Sequence, residues 1–466
     1  MRPLRVRAPL PPNPSCTAPP TALGPDRRLP LTPPLPPTPA PPDILPRDGN
    51  GDVVAWDVRA RRPLWRLPAH TPFSGALHAE LAPGSSARVL TQGRDGTLKC
   101  WRTSGGGDGG DPPTPPRAPP SWTLSSGSYH YCKFATRQSA GDDGTGALVA
   151  VAGETQSALD VCEMPSLSDD DDDDADADAD TPRMGAPRRI ASLIAAADRE
   201  HASAPSRVSP QNPSSSESRD RLGVVMAVAF LPTRGGRVAL LAAHEEGTVC
   251  LWHLGDRRAC DEPTNERIDE PLWRQRAHGD AATCLAADER GDGFVSGGAD
   301  GACVRFRVAW GDDDVASGDG TQVGTQVGTQ VGTRVTVETL RTHGPFAPRN
   351  PNVDAAGDVR ALRGVAAVAV RDDQKIFAAG YWDGRVRLFE YGARSLGRKL
   401  ASLGYHEHAA TCVAFAPTHS LRGVLWAGHA GWLASGSRDG TVAMWAVYPP
   451  KETPAAKGGE GDGDDG

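Results

Sequence analysis

The sequence predicts an all-β protein made of repeated antiparallel strands. Turn pairs such as Asp-Gly recur between runs of alternating apolar residues, and an aromatic residue closes the strand that follows each turn. These aromatic residues recur at long, similar intervals, such as the 45 residues from Trp56 to Trp101. Gly and Pro supply 53 and 43 of the 466 residues, while Trp (11) outnumbers both Phe (9) and Tyr (6). An ordered, turn-rich fold with low-complexity insertions fits this composition.

Three segments repeat the same order of residues. An apolar run and small residues lead to a charged turn that ends in Gly, and an alternating strand then ends in an aromatic residue. An Asp-Gly pair between two alternating runs is a strong signal of a tight β-hairpin turn. The segments are residues 89–101, 294–306 and 433–445. Variants of the turn are Asn50-Gly51 before Trp56, Glu246-Gly247 before Trp252, and Asp383-Gly384 before Phe389.

A histidine-led strand precedes the hairpin in three places. Pro-Leu-Trp-Arg at 63–66 and at 271–274 is followed in both cases, at the same spacing, by Ala-His. A histidine-led strand, a strand that ends at a hydroxyl residue, an Asp-Gly turn and an aromatic-ended strand resemble the repeat of WD40 β-propellers. The matching residues are His70, Thr91, Asp95 and Trp101; His278, Ser296 and Asp300, with Phe306 in the Trp position; and His406, Ser435, Asp439 and Trp445.

This resemblance implies an all-β, seven-bladed WD40 β-propeller over residues 48–449, with blade 1 incomplete and blades 3 and 4 degenerate. We expect a disordered Pro-rich N-terminus at 1–47 and an acidic disordered tail at 450–466. Removal of low-complexity insertions brings most blade intervals close to 45 residues. The predicted insertions are about 104–120, 166–219, 311–332, 345–360 and 418–430.

The start of blade 1 allows two interpretations. The closing strand at 52–58 is clear, but residues 1–47 offer no histidine-led strand before it. Either this tract replaces lost sequence through a faulty gene model, or the ring closes differently here. We favour the faulty gene model, because such rings usually close by sharing strands between the two chain ends.

The recurring polar sets predict structural bracing and no catalysis. His406, Ser435 and Asp439 contain the residue types of a hydrolase triad. However, a catalytic triad need occur only once, whereas this set recurs. In WD40 proteins the resemblance implies a buried His–Asp–hydroxyl–Trp network that locks the turn to the strands. In blades 4 and 6 the hydroxyl position holds Ala242 and Ala379, so the network is broken there.

Composition excludes several classes of function. The formal net charge of −8 gives no basic field for nucleic acid. No apolar run is long enough to span a membrane. The nine cysteines are scattered, without the paired spacing of a zinc site. We therefore expect an intracellular protein that is not an enzyme and that has no cofactor or metal.

One acidic run has two interpretations. Residues 169–180 hold nine aspartates, and such a block is typically a solvated loop. Alternatively it docks a basic partner such as a histone tail, tuned by phosphorylation at Ser166 or Ser168. Deletion of 166–182 should then weaken binding to a basic partner.

Phrases outside the repeat pattern are similar to one WD40 subfamily. They lie at 90–95, 162–166, 378–383, 385–389 and 445–449. The chain is identified as a member of the ASTRA-associated protein 1 family, called guanine nucleotide-binding protein subunit beta-like protein 1 in animals. The resemblance implies a non-enzymatic adaptor in an ASTRA-like complex. Such adaptors act in chromatin remodelling and, with the Tel/Tti co-chaperones, in maturation of phosphatidylinositol-3-kinase-related kinases. We expect a monomer within a larger complex, in the nucleus, the cytoplasm or both.

Other scaffolds remain open from the sequence. A substrate receptor of a ubiquitin ligase is one alternative, although no docking module such as an F-box is visible. A G-protein β subunit is disfavoured, because the Pro-rich residues 1–47 cannot form an N-terminal coiled-coil helix. Tyr381 and Trp382, next to the blade 6 turn, are the candidate partner-binding residues, since Tyr and Trp dominate interface energetics; ordinary packing at the turn is the competing interpretation.

Overall fold

Short strands joined by tight turns make up the fold, and no helix occurs among the described residues. At the Asp-Gly turns the glycines have positive φ, for example 83° at Gly301 and 76° at Gly440, which glycine adopts without steric cost. The structure is a computed structural model. It describes residues 4–7, 51–57, 62–72, 74–85, 88–103, 119–126, 132–138, 147–165, 187–194, 222–233, 237–256, 266–311, 325–330, 333–346, 363–392, 397–416 and 432–447.

The described strands form six blades of four or five strands and one two-stranded sheet. We number the blades 2 to 7 along the chain. Strands β1 Leu4–Arg7, β2 Asp52–Asp57 and β3 Arg62–Pro68 come first. Blade 2 contains β4 Ala76–Leu81, β5 Arg88–Gly93, β6 Thr97–Arg102 and β7 Trp122–Ser125; blade 3 contains β8 Ala135–Gln138, β9 Ala147–Ala152, β10 Leu159–Met164 and β11 Arg188–Leu193.

The remaining blades follow the same antiparallel order. Blade 4 contains β12 Val225–Leu231, β13 Arg237–His244 and β14 Thr248–Asp256; after β15 Glu266–Ile268, which pairs in parallel with β11 of blade 3, β16 Trp273–Arg276 completes it. Blade 5 contains β17 Ala282–Ala287, β18 Gly293–Gly298, β19 Cys303–Gly311, β20 Thr325–Gln330 and β21 Thr333–His343. Blade 6 contains β22 Val365–Val370, β23 Ile376–Tyr381, β24 Arg385–Glu390 and β25 Lys399–Gly404; blade 7 contains β26 Ala410–Phe415, β27 Trp432–Ser437, β28 Thr441–Ala446 and β1.

The blades are arranged as a propeller. From blade 3 to blade 7 the first strand of each blade packs against the first strand of the next, as β17 does against β22 and β22 against β26. The apolar core therefore lies between blades. One cluster joins Cys284, Val295 and Cys303 of blade 5 to Phe377 and Phe389 of blade 6. Where a blade is covered on both faces, its second strand is buried on both sides, as in β18 and β23.

The chain ends meet in blade 7. Strand β1 pairs antiparallel with β28, with Val6 opposite Val442. The prediction of a wholly disordered segment 1–47 is wrong at this point, because residues 4–7 supply the outer strand of the last blade. The ring thus closes by the shared-strand arrangement of its class.

The two-stranded sheet of β2 and β3 is separate from the six blades. A seventh blade like the other six is not present among the described residues, so the prediction of seven blades with an incomplete blade 1 stays a prediction.

Two predicted insertions contain strands. Residues 166–219 include β11, which pairs with β10 and completes blade 3, and 311–332 include β20, which pairs with β21. Low-complexity neighbours obscured both strands, because the apolar alternation of Arg188–Leu193 is short and follows the acidic run. Most of 104–120, all of 418–430, most of 345–360, the run 169–180 with Ser166 and Ser168, and the tail 450–466 lie outside the described residues.

Candidate functional site

Blade 2 contains a chain of four buried polar groups. His70 lies just before β4, Thr91 on β5, Asp95 in the β5–β6 turn and Trp101 on β6. The Trp101 indole N–H donates to Thr91 Oγ1 at 2.8 Å. His70 Nε2 lies 3.1 Å from the same hydroxyl, and its Nδ1 lies 3.1 Å from Asp95 Oδ2. The hydroxyl therefore links strand to histidine, and the carboxylate links histidine to turn.

Blade 7 has the same arrangement, but its aspartate carboxylate lies farther from the histidine. Trp445 donates its indole N–H to Ser435 Oγ at 2.9 Å, and His406 Nε2 lies 2.8 Å from that hydroxyl. His406 Nδ1 is 3.7 Å from Asp439 Oδ2 and 2.9 Å from Thr441 Oγ1, which itself donates to Asp439. A threonine thus bridges part of the histidine–aspartate link.

Blade 5 keeps three of the four groups. His278 Nε2 lies 2.8 Å from Ser296 Oγ, and Nδ1 lies 3.2 Å from Asp300 Oδ1. Phe306 stands in the tryptophan position and stacks on Phe294, with ring centroids 4.5 Å apart. The aromatic position therefore contributes packing here but no hydrogen bond.

The electrostatics favour neutral histidines that hold structure. Burial lowers the pKa of His70 and of His406, and the nearby aspartates oppose this only in part. Burial alone would raise the pKa of Asp95, but hydrogen bonds from Thr97 and the interaction with His70 lower it. A neutral imidazole can donate from Nδ1 to the carboxylate and accept at Nε2 from the hydroxyl, so every group in the chain is satisfied.

The hydroxyls are not available as nucleophiles. Thr91 and Ser296 are fully buried, and Ser435 is 1% exposed. A nucleophile must reach the reacting atom of its substrate. The described hydrogen-bond partners of these oxygens lie within their own blade: histidine and tryptophan for Thr91 and Ser435, and histidine for Ser296. The repeated sets are therefore arranged as braces within the sheets.

Four of the described thiols are held protonated by burial. Burial raises the pKa of Cys100, Cys132, Cys162 and Cys284 to about 12, which suppresses the reactive thiolate. No group of three or more metal-ligating side chains occurs within the described ranges. Among those residues, no helix is long and apolar enough to cross a membrane.

Blades 4 and 6, which lack the hydroxyl, have a ring side chain two residues later. In blades 2 and 5 the residue two places after the hydroxyl is Gly93 or Gly298, where a Cβ would collide with the histidine ring. His244 in blade 4 and Tyr381 in blade 6 occupy this register position. Both are buried. Sequence reasoning missed this exchange, although its signal is visible: Ala at the hydroxyl position goes with a ring two residues later.

Tyr381 is consequently not an exposed anchor. It is 1% exposed, and its hydroxyl lies 3.5 Å from Cys303 Sγ of blade 5. Since blade 6 lacks the histidine of the other networks, the tyrosine ring packs between blades at that register position. The prediction of Tyr381 as a partner-binding residue is therefore wrong.

Blade 6 also replaces the histidine–aspartate link with an ion pair. Arg387 Nη2 donates to Asp383 Oδ2 at 2.6 Å and Nη1 to Oδ1 at 3.1 Å, with side chains only 4% and 5% exposed. The guanidinium carbon lies 4.1 Å from the centroid of the Tyr381 ring and 5.2 Å from that of Phe346. Bidentate geometry and two aromatic faces suit a buried arginine. Sequence reasoning did not select Arg387.

Trp382 is half-buried in the turn after β23. Its indole lies directly over Gly364, where any Cβ would collide with the ring. Glu154, Glu245 and Arg438 hold exposed positions in the corresponding turns of blades 3, 4 and 7. The face of the propeller that carries the turns between second and third strands thus presents charged side chains, with the large aromatic Trp382 among them.

Ala242→Ser is expected to stabilise blade 4. The buried Trp252 indole N–H has no hydrogen-bond partner among the described residues, and Ala242 lies ten residues earlier, where Thr91 and Ser435 accept this bond in blades 2 and 7. An added hydroxyl should raise the free energy of unfolding by about 1 kcal/mol. Urea denaturation measures this. Ala379→Ser is the matched control, because Phe389 offers no donor; an equal gain in both variants would contradict the explanation.

Six repeated blades, three of which are braced by a recurring polar network, define a WD40-type β-propeller, a class whose members carry interaction surfaces. The family model "WD domain, G-beta repeat" matches residues 397–446, which are β25 to β28. The resemblance inferred from the sequence is confirmed by similarity to named proteins.

The chain is similar to ASTRA-associated protein 1 of Schizosaccharomyces japonicus, with 24% identity across 86% of this chain and 92% of that protein. The same-named protein of Verticillium alfalfae is 22% identical, over 86% of each chain. Guanine nucleotide-binding protein subunit beta-like protein 1 of Mus musculus is 26% identical over 50% of this chain, and the chain spans about half (52%) of that protein. Among solved structures, the β-propeller domain of Myceliophteria thermophila Cps50 (Swd1) aligns at a TM-score of 0.49 and 12% identity, covering 87% of this chain and 93% of that one.

Proposed function

We propose that this protein is a non-enzymatic scaffold of an ASTRA-like complex. It would act in chromatin remodelling and, with Tel/Tti co-chaperones, in maturation of phosphatidylinositol-3-kinase-related kinases. The similarity to ASTRA-associated protein 1 over 86% of this chain and 92% of the relative carries the proposal. Because the similarity extends along almost the whole relative, it favours a shared function and not merely a shared repeat.

The physical basis of the role is a rigid ring. Polar networks inside blades 2, 5 and 7 fix the turns, and apolar faces fix each blade against the next. A partner that docks on a preformed surface loses little conformational entropy from the scaffold. Such a protein works inside a larger complex as a single copy, in the nucleus, the cytoplasm or both.

The two-stranded sheet of β2 and β3 is, in this proposal, what remains of a seventh blade. The chain passes from β1 on blade 7 to β2, and then directly into blade 2. This position in the order of strands is that of the third and fourth strands of blade 1. The complete ring would then be seven-bladed.

Trp382 is the proposed partner anchor. It is half-buried, so its ring is already held in place over Gly364, and it lies among charged turn residues. A fixed aromatic within a polar surround is typical of an interface hot spot.

Affinity purification of the tagged full-length chain from its native cells tests the function. We expect co-purification of Tel/Tti co-chaperones and their client kinases, and a loss of at least tenfold in their recovery with Trp382→Ala. The matched control is Trp432→Ala. Trp432 is also half-buried, but it begins a second strand, β27 of blade 7, whereas Trp382 follows the end of one. Recovery of a cullin instead would support a ubiquitin-ligase receptor, and recovery of a G-protein γ subunit a β-like subunit; either would refute the proposal.

A further inference from the structure

The two-stranded sheet has an unusual edge. In each of the six blades the third strand is flanked on both sides, as β6 is by β5 and β7. Strand β2 holds that place in its sheet, yet within the described ranges it pairs only with β3. Its Val53 and Ala55 are nevertheless fully buried. The backbone edge of β2 therefore has the form that accepts an added strand.

The neighbouring face of blade 7 is apolar and uncovered. Cys412, Ala434 and Val442 are half-exposed. At the same register positions of blade 5, Cys284, Val295 and Cys303 are 8%, 0% and 0% exposed, because blade 6 covers them. Blade 7 thus has the side chains of a face that packs against another blade, but lacks the cover.

The side of blade 2 that faces blade 7 also has apolar side chains that are more exposed than their equivalents in another blade. Ala76 and Ala79 on β4 are half-exposed. Their register equivalents in blade 6, Val365 and Val368, are 0% and 9% exposed beneath blade 5. Among the described residues, no strand takes the place of a first or second strand between the face of blade 7, the edge of β2 and the inner strand of blade 2. We call this place the slot. It is lined by Cys412, Ala434 and Val442 of blade 7, by Ala76 and Ala79 of blade 2, and by Val53 and Ala55 of β2.

The chain's own connector is poorly suited to fill the slot with strands. Residues 8–50 join β1 to β2, and 16 of these 43 residues are proline. No run between prolines exceeds four residues, whereas β17 and β18 each need six. Proline has no amide hydrogen to donate to a ladder. The hydrogen-bonding capacity of the β2 edge must then be met from elsewhere.

We infer that the slot is a docking site for a β-hairpin of a partner protein, which adds two strands to the free edge of β2. The fitting segment is extended, free of proline over two runs of about six residues, and apolar at alternate positions on both faces, since both walls are apolar. The inference concerns a surface apart from Trp382 and does not depend on which complex contains the protein.

Cys412 provides a direct readout. It is half-exposed in the slot wall, whereas the other six cysteines of the described ranges are buried. The full chain carrying Cys16→Ser and Cys260→Ser is treated with a maleimide, with and without a synthetic peptide of residues 281–298, the first two strands of blade 5, in which Cys284 is changed to serine so that the peptide consumes no maleimide. Every version of this hairpin used below carries Cys284→Ser. We expect the peptide to slow Cys412 labelling at least tenfold in a saturable manner. The same peptide with proline in place of Leu285 and Val295 should have no effect.

An isolated hairpin is only marginally stable in water. A second experiment therefore joins the hairpin covalently to the chain. Residues 12–46 are replaced by the 281–298 hairpin between Gly/Ser linkers, by its proline version, or by a Gly/Ser linker of equal length. Slow labelling only with the intact hairpin is expected. Equal labelling of Cys412 in all three chains, together with no effect of the free peptide, would overturn the inference. So would labelling of the unaltered chain that is as slow as with the hairpin, because its own connector, or at high protein concentration a second copy, would then fill the slot.

Discussion

Replacement of Arg387 by alanine is expected to lower the free energy of unfolding by about 3–5 kcal/mol, because it leaves the Asp383 carboxylate buried without its partner. The Asp383 side chain is 5% exposed and receives both guanidinium hydrogen bonds. The substitution also removes the cation between the Tyr381 and Phe346 rings. Urea denaturation of the full chain, followed by tryptophan fluorescence, measures the loss.

Two further variants isolate the ion pair. Asp383→Asn with Arg387→Met removes both charges, and most of the loss should be recovered, since removal of a whole buried pair is often close to neutral. Arg398→Ala breaks a pair with Glu390 in which the arginine is 72% exposed, so its effect on the free energy of unfolding should be small. An Arg387→Ala loss no larger than that of Arg398→Ala would show that the pair does not brace blade 6.

Thr91→Val is expected to cost about 2–4 kcal/mol, although valine keeps the shape and strand preference of threonine. The single Thr91 hydroxyl serves both the Trp101 indole and His70 Nε2, at 2.8 and 3.1 Å. Both groups are buried, so each would be left without a partner. Thermal or urea unfolding reports the loss.

Thr123→Val is the matched control for this substitution. Thr123 is exposed on β7 of the same blade, so its replacement should change the free energy of unfolding by less than about 0.5 kcal/mol. If both variants were equally stable, the hydroxyl would not join strand to histidine as the structure shows.

The repeat pattern predicted the braced blades because their hydrogen bonds are local in register. A turn of Asp-Gly type fixes which residues of the second and third strands face each other, and so Thr91 and Trp101 could be placed together from spacing. The histidine lies in the segment that leads into the first strand of the blade, and its position could also be predicted from the repeated spacing.

Other features could not be read from the repeat because they depend on distant parts of the chain. Tyr381 reaches Cys303 of the preceding blade, and Phe346 reaches Arg387 from the segment after β21. The sequence around Tyr381 and Trp382 does not reveal which ring turns inward. Strand β11 was hidden because its partner β10 lies more than twenty residues earlier, across the acidic run.

The proposed scaffold depends on closure, that is, on the pairing of the N-terminal strand β1 with blade 7. Without β1, the third strand of blade 7, β28, would present an unpaired outer edge. Strand β1 brings the first residues of the chain onto blade 7, and Val6 lies opposite Val442 in this pairing.

Cysteine cross-linking tests this closure. In a background with Cys16, Cys260 and Cys412 changed to serine, Val6→Cys and Val442→Cys are introduced together and mildly oxidised, and the linked peptides are identified by mass spectrometry. The account predicts a nearly complete intramolecular disulfide between positions 6 and 442, and little linkage when Cys is placed at Pro3 instead of Val6. Absence of the 6–442 disulfide, or equal linkage from both positions, would contradict closure of the ring by its N-terminal strand.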